Sequence, residues 1–305
     1  MKLYLITGFL GAGKTTFLKK LIDAYKDRRL HLVINEFGRE GVDGAILSGL
    51  GAAINEINNG SIFCSCRIDK FEEVLASLED SPAELVFVES SGLSDPTNVR
   101  AVLGGGRFPK IEYGGCVAIV DAARFDKVYD TAVVVKKQIA VADMVLINKT
   151  DIAGSEKTAA VRGIVASHRP DVPIYETTFG SFEKEWIDGL DPSRPPFDAD
   201  RLQTKDITLR KYAVTVRDGF SKGSLERFVR QFMTESYRVK GYVKVSDGGV
   251  MLLDCVGGIY ALEETAGCGD ALLNKIVVLS GEKLQTKRAI KKAAEMWPDL
   301  VEGIE

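Results

Sequence analysis

A glycine-rich loop near the start of the chain constrains the fold more than any other feature of the sequence. Residues 8–16 read Gly-Phe-Leu-Gly-Ala-Gly-Lys-Thr-Thr, with the apolar run Leu3–Thr7 before them and the helical pattern Thr15–Asp27 after them. This strand–loop–helix order predicts a phosphate site, because glycines let backbone N–H groups approach phosphate oxygens and a helix N-terminus carries positive partial charge. The residues expected to contact the phosphates are Gly8, Gly11, Ala12, Gly13, Lys14, Thr15 and Thr16.

A magnesium ion is expected beside these phosphates. Lys14 would supply the positive charge facing the β- and γ-phosphates, and the Thr15 hydroxyl would bind Mg²⁺. The other corner of the ion site is predicted at Glu89, which ends the apolar run Glu84–Glu89 and would hold the ion through water. Gly92 follows three residues later, and its N–H is expected to sense the γ-phosphate.

The base is predicted to be guanine. Asn148-Lys149-Thr150-Asp151 come at the end of the strand candidate Asp143–Asn148. The Asp151 carboxylate can accept hydrogen bonds from N1–H and the exocyclic amine of guanine, which adenine does not offer. We therefore expect GTP with Mg²⁺ as the ligand, bound at its base by Asn148, Lys149 and Asp151. A small-molecule kinase is disfavoured, because a kinase has no need of a guanine-reading motif.

The first 180 residues alternate short apolar runs with helical patterns, which predicts an α/β fold, a parallel P-loop NTPase sheet covered by helices. In the second helical pattern, Phe71, Val74, Leu75 and Leu78 recur with the spacing of one helix face. The predicted strands are Leu3–Thr7, His31–Asn35, Glu84–Glu89, Cys116–Asp121, Asp143–Asn148 and Val172–Glu176. The predicted helices are Thr15–Asp27, Arg67–Glu79, Thr131–Ala142 and Ser155–His168.

The rest of the chain predicts a smaller C-terminal α+β domain. We expect a P-loop GTPase domain at 1–180, a linker rich in Gly, Pro and Asp at 181–206, and the α+β domain at 207–305. The turn Asp247-Gly248-Gly249 is typical of a hairpin. The expected elements are the strands Ile207–Arg217, Tyr237–Val245, Val250–Val256 and Lys275–Leu279 and the helices Ser224–Met233 and Lys283–Met296.

Composition excludes several classes of function. The chain has 305 residues with 40 Lys and Arg against 43 Asp and Glu, and both signs are scattered, so nucleic acid is not an expected partner. Its apolar runs are strand-sized, far below the roughly 18 residues of a membrane span. No signal-peptide pattern begins the sequence, and its 5 cysteines do not form a disulfide framework. We expect a cytoplasmic protein without membrane contact.

Four motifs in the same order resemble the CobW family of P-loop GTPases, which is related to the GTPases that mature hydrogenase and urease. They are residues 8–16, Asn35-Glu36-Phe37-Gly38, Glu89–Pro96 and Asn148–Asp151, and the segment Tyr237–Tyr242 is similar to the family's C-terminal domain. The resemblance implies GTP hydrolysis coupled to delivery or insertion of a metal ion or metallocofactor, such as zinc, cobalt or a cobalamin-related group. A client metalloenzyme or another cofactor-dependent protein is the implied partner.

The resemblance also implies a transition-metal site just after Asn59-Gly60. The family's C-x-C-C motif is reduced here to Cys64-Ser65-Cys66, and Ser61 and Phe63 occupy its first two cysteine positions. Cys64, Cys66 and Glu40 are candidate ligands for Zn²⁺ or Co²⁺, with further ligands from a second subunit of a homodimer or from a partner. The alternatives for these thiols are buried small hydrophobes or a redox-labile pair without a metal role.

The sequence leaves two further alternatives. Glu36 and Asp43 are both candidates to orient the attacking water, and no glutamine stands in the expected place, so slow intrinsic turnover is predicted. The alternative function is a nucleotide-switched assembly or reactivation factor for a cofactor-dependent client, carrying no metal itself; the altered cysteine motif favours it. Cys116 is expected in the core, and Cys255 and Cys268 have no predicted chemistry. The predicted catalytic set is Lys14, Thr15, Glu89 and Glu36.

Overall fold

A parallel sheet forms the first of two units in the structure. The computed structural model describes residues 1–35, 53–57, 68–194, 209–256, 259–265, 272–281 and 284–305. The chain divides into the compact units Met1–Lys205 and Asp206–Glu305. The strands described in the first unit are β1 (Lys2–Gly8), β2 (Leu30–Asn35), β3 (Ala53–Ile57), β4 (Leu85–Glu89), β5 (Glu112–Asp121), β6 (Met144–Asn148) and β7 (Ile174–Glu176). All pair in parallel, in the order β3-β2-β4-β1-β5-β6-β7.

Helices cover both faces of this sheet, which confirms the predicted α/β fold. Phe17 of α1 (Lys14–Ala24) packs with Ile6 on one face, and Phe71 of α2 (Ile68–Leu78) packs with Leu5 on the other. Because successive strand residues point to opposite faces, β1 is apolar at consecutive positions. The further helices described in this unit are α3 (Val99–Gly104), α4 (Phe125–Thr131), α5 (Val133–Ala140), α6 (Thr150–Ala153), α7 (Ser155–His168) and α8 (Lys184–Asp188).

Several elements of the first unit differ from the prediction. The predicted helix Thr131–Ala142 is found as the shorter α5, and the helix before it, α4, was not predicted. The two helices meet at Ala132, where the backbone is extended with φ −127° and ψ 105°. Three consecutive β-branched residues, Val133–Val135, follow this break and lower the helix propensity there. Strand β3 was not predicted, since its Ala-Ile-Asn-Glu-Ile sequence carries polar residues and lies at the edge of the sheet.

Residues 181–194 pack as part of the first unit, although the sequence predicted a linker from residue 181. Trp186 of α8 stacks on Tyr175 of β7, with 3.9 Å between the ring centroids. Ile187 is buried in the same core, with 1% of its surface exposed. The Gly, Pro and Asp content of this segment hid an apolar pattern with the four-residue spacing of a helix face, formed by Phe182, Trp186 and Leu190.

The second unit has the predicted α+β composition. Its described strands are β8 (Leu209–Val216), β9 (Arg238–Lys244), β10 (Val250–Val256), β11 (Leu262–Thr265), β12 (Lys275–Gly281) and β13 (Val301–Ile304). They pair antiparallel in the order β11-β10-β9-β12-β8-β13. Helices α9 (Lys222–Arg230) and α10 (Thr286–Met296) contribute Leu225, Phe228 and Ile290 to its core. The predicted hairpin joins β9 to β10, whereas β11 and β13 were not predicted.

No helix within the described ranges is long and apolar enough to cross a membrane.

Replacing Ile187 with alanine tests whether residues 181–194 are part of the first unit's core. Because Ile187 is 1% exposed, we expect the Ile187→Ala substitution to lower the free energy of unfolding by about 2–5 kcal/mol. Ile152→Ala is the matched control, because Ile152 is 66% exposed and should change stability by no more than about 0.5 kcal/mol.

Both variants would be made in a Trp297→Phe background, where Trp186 is the one remaining tryptophan of the two in the chain and reports on the first unit. Urea unfolding followed by tryptophan fluorescence gives the two free energies. Equal midpoints for the two variants would contradict the assignment of this segment to the core.

Candidate functional site

The glycine-rich loop joins β1 to α1 at the carboxyl edge of the sheet. Its glycines adopt backbone angles that other residues rarely adopt, with φ +146° at Gly8, +74° at Gly11 and +105° at Gly13. A Cβ atom on Gly8 would lie 2.4 Å from the carbonyl oxygen of Ile119 in β5, and one on Gly13 would lie 2.4 Å from Nδ2 of Asn148. The loop is therefore seated directly on the ends of β5 and β6, and glycine is required at both positions.

The two predicted corners of the magnesium site lie together. Strand pairing sets Ile6 of β1 beside Glu89 at the end of β4, and the Thr15 Oγ1 hydroxyl donates a 3.2 Å hydrogen bond to Glu89 Oε1. Glu89 is 4% exposed and Lys14 is 8% exposed, and the Lys14 Nζ donates to the carbonyl of Phe9 at 3.4 Å. A hydroxyl and a carboxylate are hard oxygen ligands, which suits Mg²⁺. The residues present therefore fit the ion that the sequence predicted.

Residues 90–98, which follow β4, pack against the glycine-rich loop; we call them the β4 loop. A Cβ atom on Gly92 would lie 2.6 Å from the backbone nitrogen of Leu10, so the two loops touch through their backbones. Ser90 Oγ donates to Thr7 Oγ1 at 2.9 Å. The predicted γ-phosphate sensor thus lies directly against the loop expected to hold the phosphates.

Two buried residues of α5 hold the β4 loop in place, and sequence analysis missed both. Gln138 Nε2 donates to the carbonyls of Gly92 and Ser94 at 3.2 and 3.3 Å, and Lys137 Nζ lies 2.6 Å from Asp95 Oδ2. Lys137 and Gln138 are each 2% exposed. The signal available in the sequence was the polar stretch Lys136-Lys137-Gln138, which is flanked by apolar residues on a helix expected to cover the sheet.

The Asn148 side chain connects two segments of the chain. Its Nδ2 donates to the carbonyl of Ala12 at 2.9 Å, and its Oδ1 accepts a 3.0 Å hydrogen bond from the N–H of Gly180. With 2% of its surface exposed, Asn148 is a buried bridge between the glycine-rich loop and the segment after β7. The motif containing Asn148 therefore organises the site from within the fold.

The other members of this motif lie nearer the surface. Lys149 has a left-handed backbone with φ +64°, and its Nζ lies 2.6 Å from Oδ2 of Asp121, which ends β5. Asp151 lies exposed on α6, with its carboxylate accessible to a ligand. The Thr150 N–H and hydroxyl both donate to the carbonyl of Thr177, at 3.4 and 3.2 Å. These hydrogen bonds attach the segment after β7 to the motif at a second point. Sequence analysis did not identify this segment as part of the site.

The predicted transition-metal and water-orienting residues lie outside the described residues; they are Glu36, Glu40, Asp43, Cys64 and Cys66. Within the described ranges, no group of three or more His, Cys, Asp or Glu residues could hold a metal ion. Cys268 also lies outside the described ranges.

The two cysteines that the structure describes are core residues. Cys116 has none of its surface exposed, which confirms its predicted place in the core, and burial followed by the nearby charge of Asp143 raises the pKa of its thiol. Cys255 is 2% exposed, and burial raises its pKa to about 11. Both thiols lie in the core, so Cys64 and Cys66 remain the candidate cysteine ligands of a metal ion.

A parallel sheet that carries this glycine-rich loop between β1 and α1 defines a P-loop nucleotide-binding protein. Comparison with known protein families identifies the family to which the chain belongs. The sequence model of the CobW/HypB/UreG nucleotide-binding domain matches residues 2–176, and the chain belongs to this family.

Curated relatives cover a similar part of the chain. The zinc chaperone YjiA of Escherichia coli K12 is 29% identical over 187 residues, which are 59% of this chain and 58% of YjiA. The zinc chaperone CobW of a Sinorhizobium species is 33% identical over 198 residues, 55% of this chain and 56% of the relative. The chain thus spans less than two thirds of the length of these relatives. The crystal structure of Zn(II)-bound YjiA GTPase from E. coli covers 97% of this chain and 98% of its own at 19% identity, with a TM-score of 0.46.

The Gly13→Ala substitution adds a Cβ atom and tests whether the glycine-rich loop packs closely on Asn148. Gly106→Ala is the matched control, because Gly106 also has positive φ, +71°, but a Cβ there would have nothing within 4 Å. We expect Gly106→Ala to lose about 1–2 kcal/mol from backbone strain alone. Gly13→Ala should lose at least about 1 kcal/mol more, because displacing Asn148 breaks its hydrogen bonds to Ala12 and Gly180.

Thermal unfolding of the nucleotide-free protein measures both losses. If Gly13→Ala unfolds at the same temperature as Gly106→Ala, the packing of Asn148 against Gly13 is not a constraint on the loop.

Proposed function

We propose that this protein binds GTP with Mg²⁺, hydrolyses it slowly, and uses the nucleotide state to control delivery of a metal ion or metallocofactor to a client protein. The observation that carries the proposal is the meeting of three groups at one edge of the sheet. Thr15 lies at 3.2 Å from Glu89, and Gly92 packs on the backbone of Leu10. The family match and the zinc chaperones among the relatives support the same function.

Guanine selectivity is proposed to come from Asp151. Asp151 is exposed and lies two residues after Lys149, whose Nζ lies 2.6 Å from Asp121 Oδ2. A carboxylate at this place accepts from the N1–H and exocyclic amine of guanine, and adenine presents no such pair of donors. GTP is accordingly the proposed substrate.

For hydrolysis, charge neutralisation at the phosphates is the main contribution of this chain. Mg²⁺ held by Thr15 and Glu89 would withdraw negative charge from the β- and γ-phosphates. Lys14 lies buried in the loop and adds a second positive charge, which stabilises the transition state of in-line attack by water. Glu36 and Asp43 remain the two candidates to orient that water.

The conformational response is proposed to be carried by the β4 loop. The loop is held through its carbonyls by Gln138 and through Asp95 by Lys137. A γ-phosphate that accepts from the N–H of Gly92 would act on the same backbone segment as these contacts and would bias its position. The two nucleotide states can therefore differ in the position of residues 90–98.

The cargo is proposed to be zinc, with cobalt or a cobalamin-related group as the next candidates. Cys64, Cys66 and Glu40 supply two soft ligands and one hard ligand, and a partner protein or a second copy of the chain would complete a tetrahedral site. The client would be a metalloenzyme that receives the ion.

A second candidate function is a nucleotide-switched assembly or reactivation factor that carries no metal. The observation that favours it is the reduced cysteine motif Cys64-Ser65-Cys66, which leaves the site one thiolate short of the family's pattern.

Replacing Lys14 tests the phosphate site. Lys14→Ala should reduce GTP turnover by about 100-fold or more, because one of the charges that stabilise the transition state is lost. Lys19→Ala is the matched control on α1, since Lys19 is exposed whereas Lys14 is buried. Phosphate release measured with GTP and with ATP gives both results. Turnover that persists in Lys14→Ala, or equal turnover of ATP and GTP by the unaltered protein, would contradict the proposal.

Titration with Zn²⁺ and Co²⁺ separates the two candidate functions. The unaltered protein should develop thiolate-to-Co²⁺ charge-transfer absorption, with an affinity that differs between GDP and a non-hydrolysable GTP analogue. The Cys64→Ser/Cys66→Ser variant should lose this absorption. Cys116→Ser is the control, since Cys116 is fully buried and should leave the spectrum unchanged. Absence of thiolate absorption in the unaltered protein would favour the metal-free assembly factor.

A further inference from the structure

Phe179 is the most exposed large apolar side chain that the structure describes. It is 70% exposed, compared with 66% for Ile152, 63% for Ile259 and 56% for Met296. A single exposed apolar residue needs no functional explanation. Phe179 differs from the other three residues in its backbone conformation.

The backbone at Phe179 belongs to a tight turn that disfavours phenylalanine. The Ser181 N–H donates to the carbonyl of Thr178 at 3.1 Å, and the two central residues, Phe179 and Gly180, have φ +53° and +62°. Two positive φ values are characteristic of a type I′ turn, in which Gly, Asn and Asp are favoured. A bulky side chain in the left-handed region is strained, and such strain is concentrated at functional sites.

The turn is also held firmly beside the motif that reads the base. Gly180 donates to Asn148 Oδ1 at 3.0 Å, and Thr177 accepts two hydrogen bonds from Thr150. A Cβ atom on Gly180 would lie 3.1 Å from Cα of Phe17, so the turn is seated on α1 as well. The backbone at Phe179 is therefore fixed by hydrogen bonds to Asn148 and Thr150, which are the neighbours of Lys149 and Asp151 in the chain.

We propose that Phe179 is a base-binding residue whose ring stacks on one face of the bound guanine base. This inference rests on the proposed GTP site and adds a contact with the face of the base, whereas Asp151 reads its edge. Every base has a π-face, so stacking adds affinity without regard to the groups on the edge. A planar ligand that covers the ring also removes its apolar surface from water.

A comparison of base-containing and base-free ligands tests this role. Phe179→Ala should weaken GDP binding about 5- to 150-fold, the range expected for loss of one base–aromatic stack. It should weaken inosine diphosphate by the same factor, because the exocyclic amine is not part of the stack. Inorganic pyrophosphate has no base, and its affinity should be unchanged. Isothermal titration calorimetry with Mg²⁺ present measures all three.

Rescue variants separate stacking from folding. Phe179→Tyr and Phe179→Trp should retain the affinity for GDP, whereas Phe179→Leu should lose it although it is also apolar. Ile259→Ala is the control for removal of an exposed apolar side chain elsewhere.

Two outcomes would overturn the inference. Unchanged GDP affinity in Phe179→Ala would show that the ring serves something other than the base, such as a protein partner. Equal loss of GDP and pyrophosphate affinity would show that the substitution disturbs the phosphate loop. Failure of the unaltered protein to bind GDP at all would instead refute the proposed function, which keeps the two results distinct.

Discussion

The side chain of Asn148 is the constraint on which the candidate site depends. Its two hydrogen bonds, at 2.9 Å to the carbonyl of Ala12 and 3.0 Å from the N–H of Gly180, tie the phosphate loop to the segment after β7. Gly13 leaves room for this arrangement only because it has no Cβ. A neutral amide is suited to this place, since it both donates and accepts, whereas a carboxylate could only accept. The glycine-rich loop and the segment after β7 are thereby held at a fixed spacing.

The fixed spacing has a consequence for how the site can respond to its ligand. The phosphate loop is held by its glycines and by Asn148, so the adaptable part must lie elsewhere. The β4 loop meets that requirement, because its contacts with Gln138 and Lys137 are side-chain hydrogen bonds and an ion pair that can exchange for others. A rigid loop beside a segment with exchangeable contacts is the arrangement on which the proposed nucleotide response rests.

Some features of this site could be predicted from the sequence, and others could not. The phosphate loop and the guanine motif are local patterns, in which each residue's chemistry is dictated by its neighbours in the chain. Thr15 and Glu89 were predicted as the two corners of one magnesium site, and they lie together because the neighbouring parallel strands β1 and β4 end at a common edge. The contacts of Gln138 with Gly92 and Ser94 depend on how α5 packs, and no spacing along the chain encodes that packing. Phe179 was not predicted as a site residue, because the sequence Thr-Thr-Phe-Gly at 177–180 does not indicate a turn with two positive φ values.

The same reasoning explains why the linker prediction failed at residues 181–194. Proline, glycine and aspartate are frequent there, but tertiary contacts determine the structure. Arg100 of α3 donates to the backbone carbonyls of Pro192 and Arg194 and lies 3.9 Å from the buried carboxylate of Asp143. Burial raises the pKa of Asp143, an effect that the Cys116 N–H and Arg100 oppose.

Helix α3 follows directly on the β4 loop, so its anchoring limits how the loop can move. One end of the loop continues from β4, and the other leads into a helix held by Arg100 at the opposite edge of the sheet, near the start of β6. Under the proposed function, a displacement of the β4 loop would be absorbed within residues 90–98, because both ends are fixed to the core. A segment of that length can change its backbone angles without disturbing the sheet, so the proposed nucleotide response would be confined to the β4 loop itself.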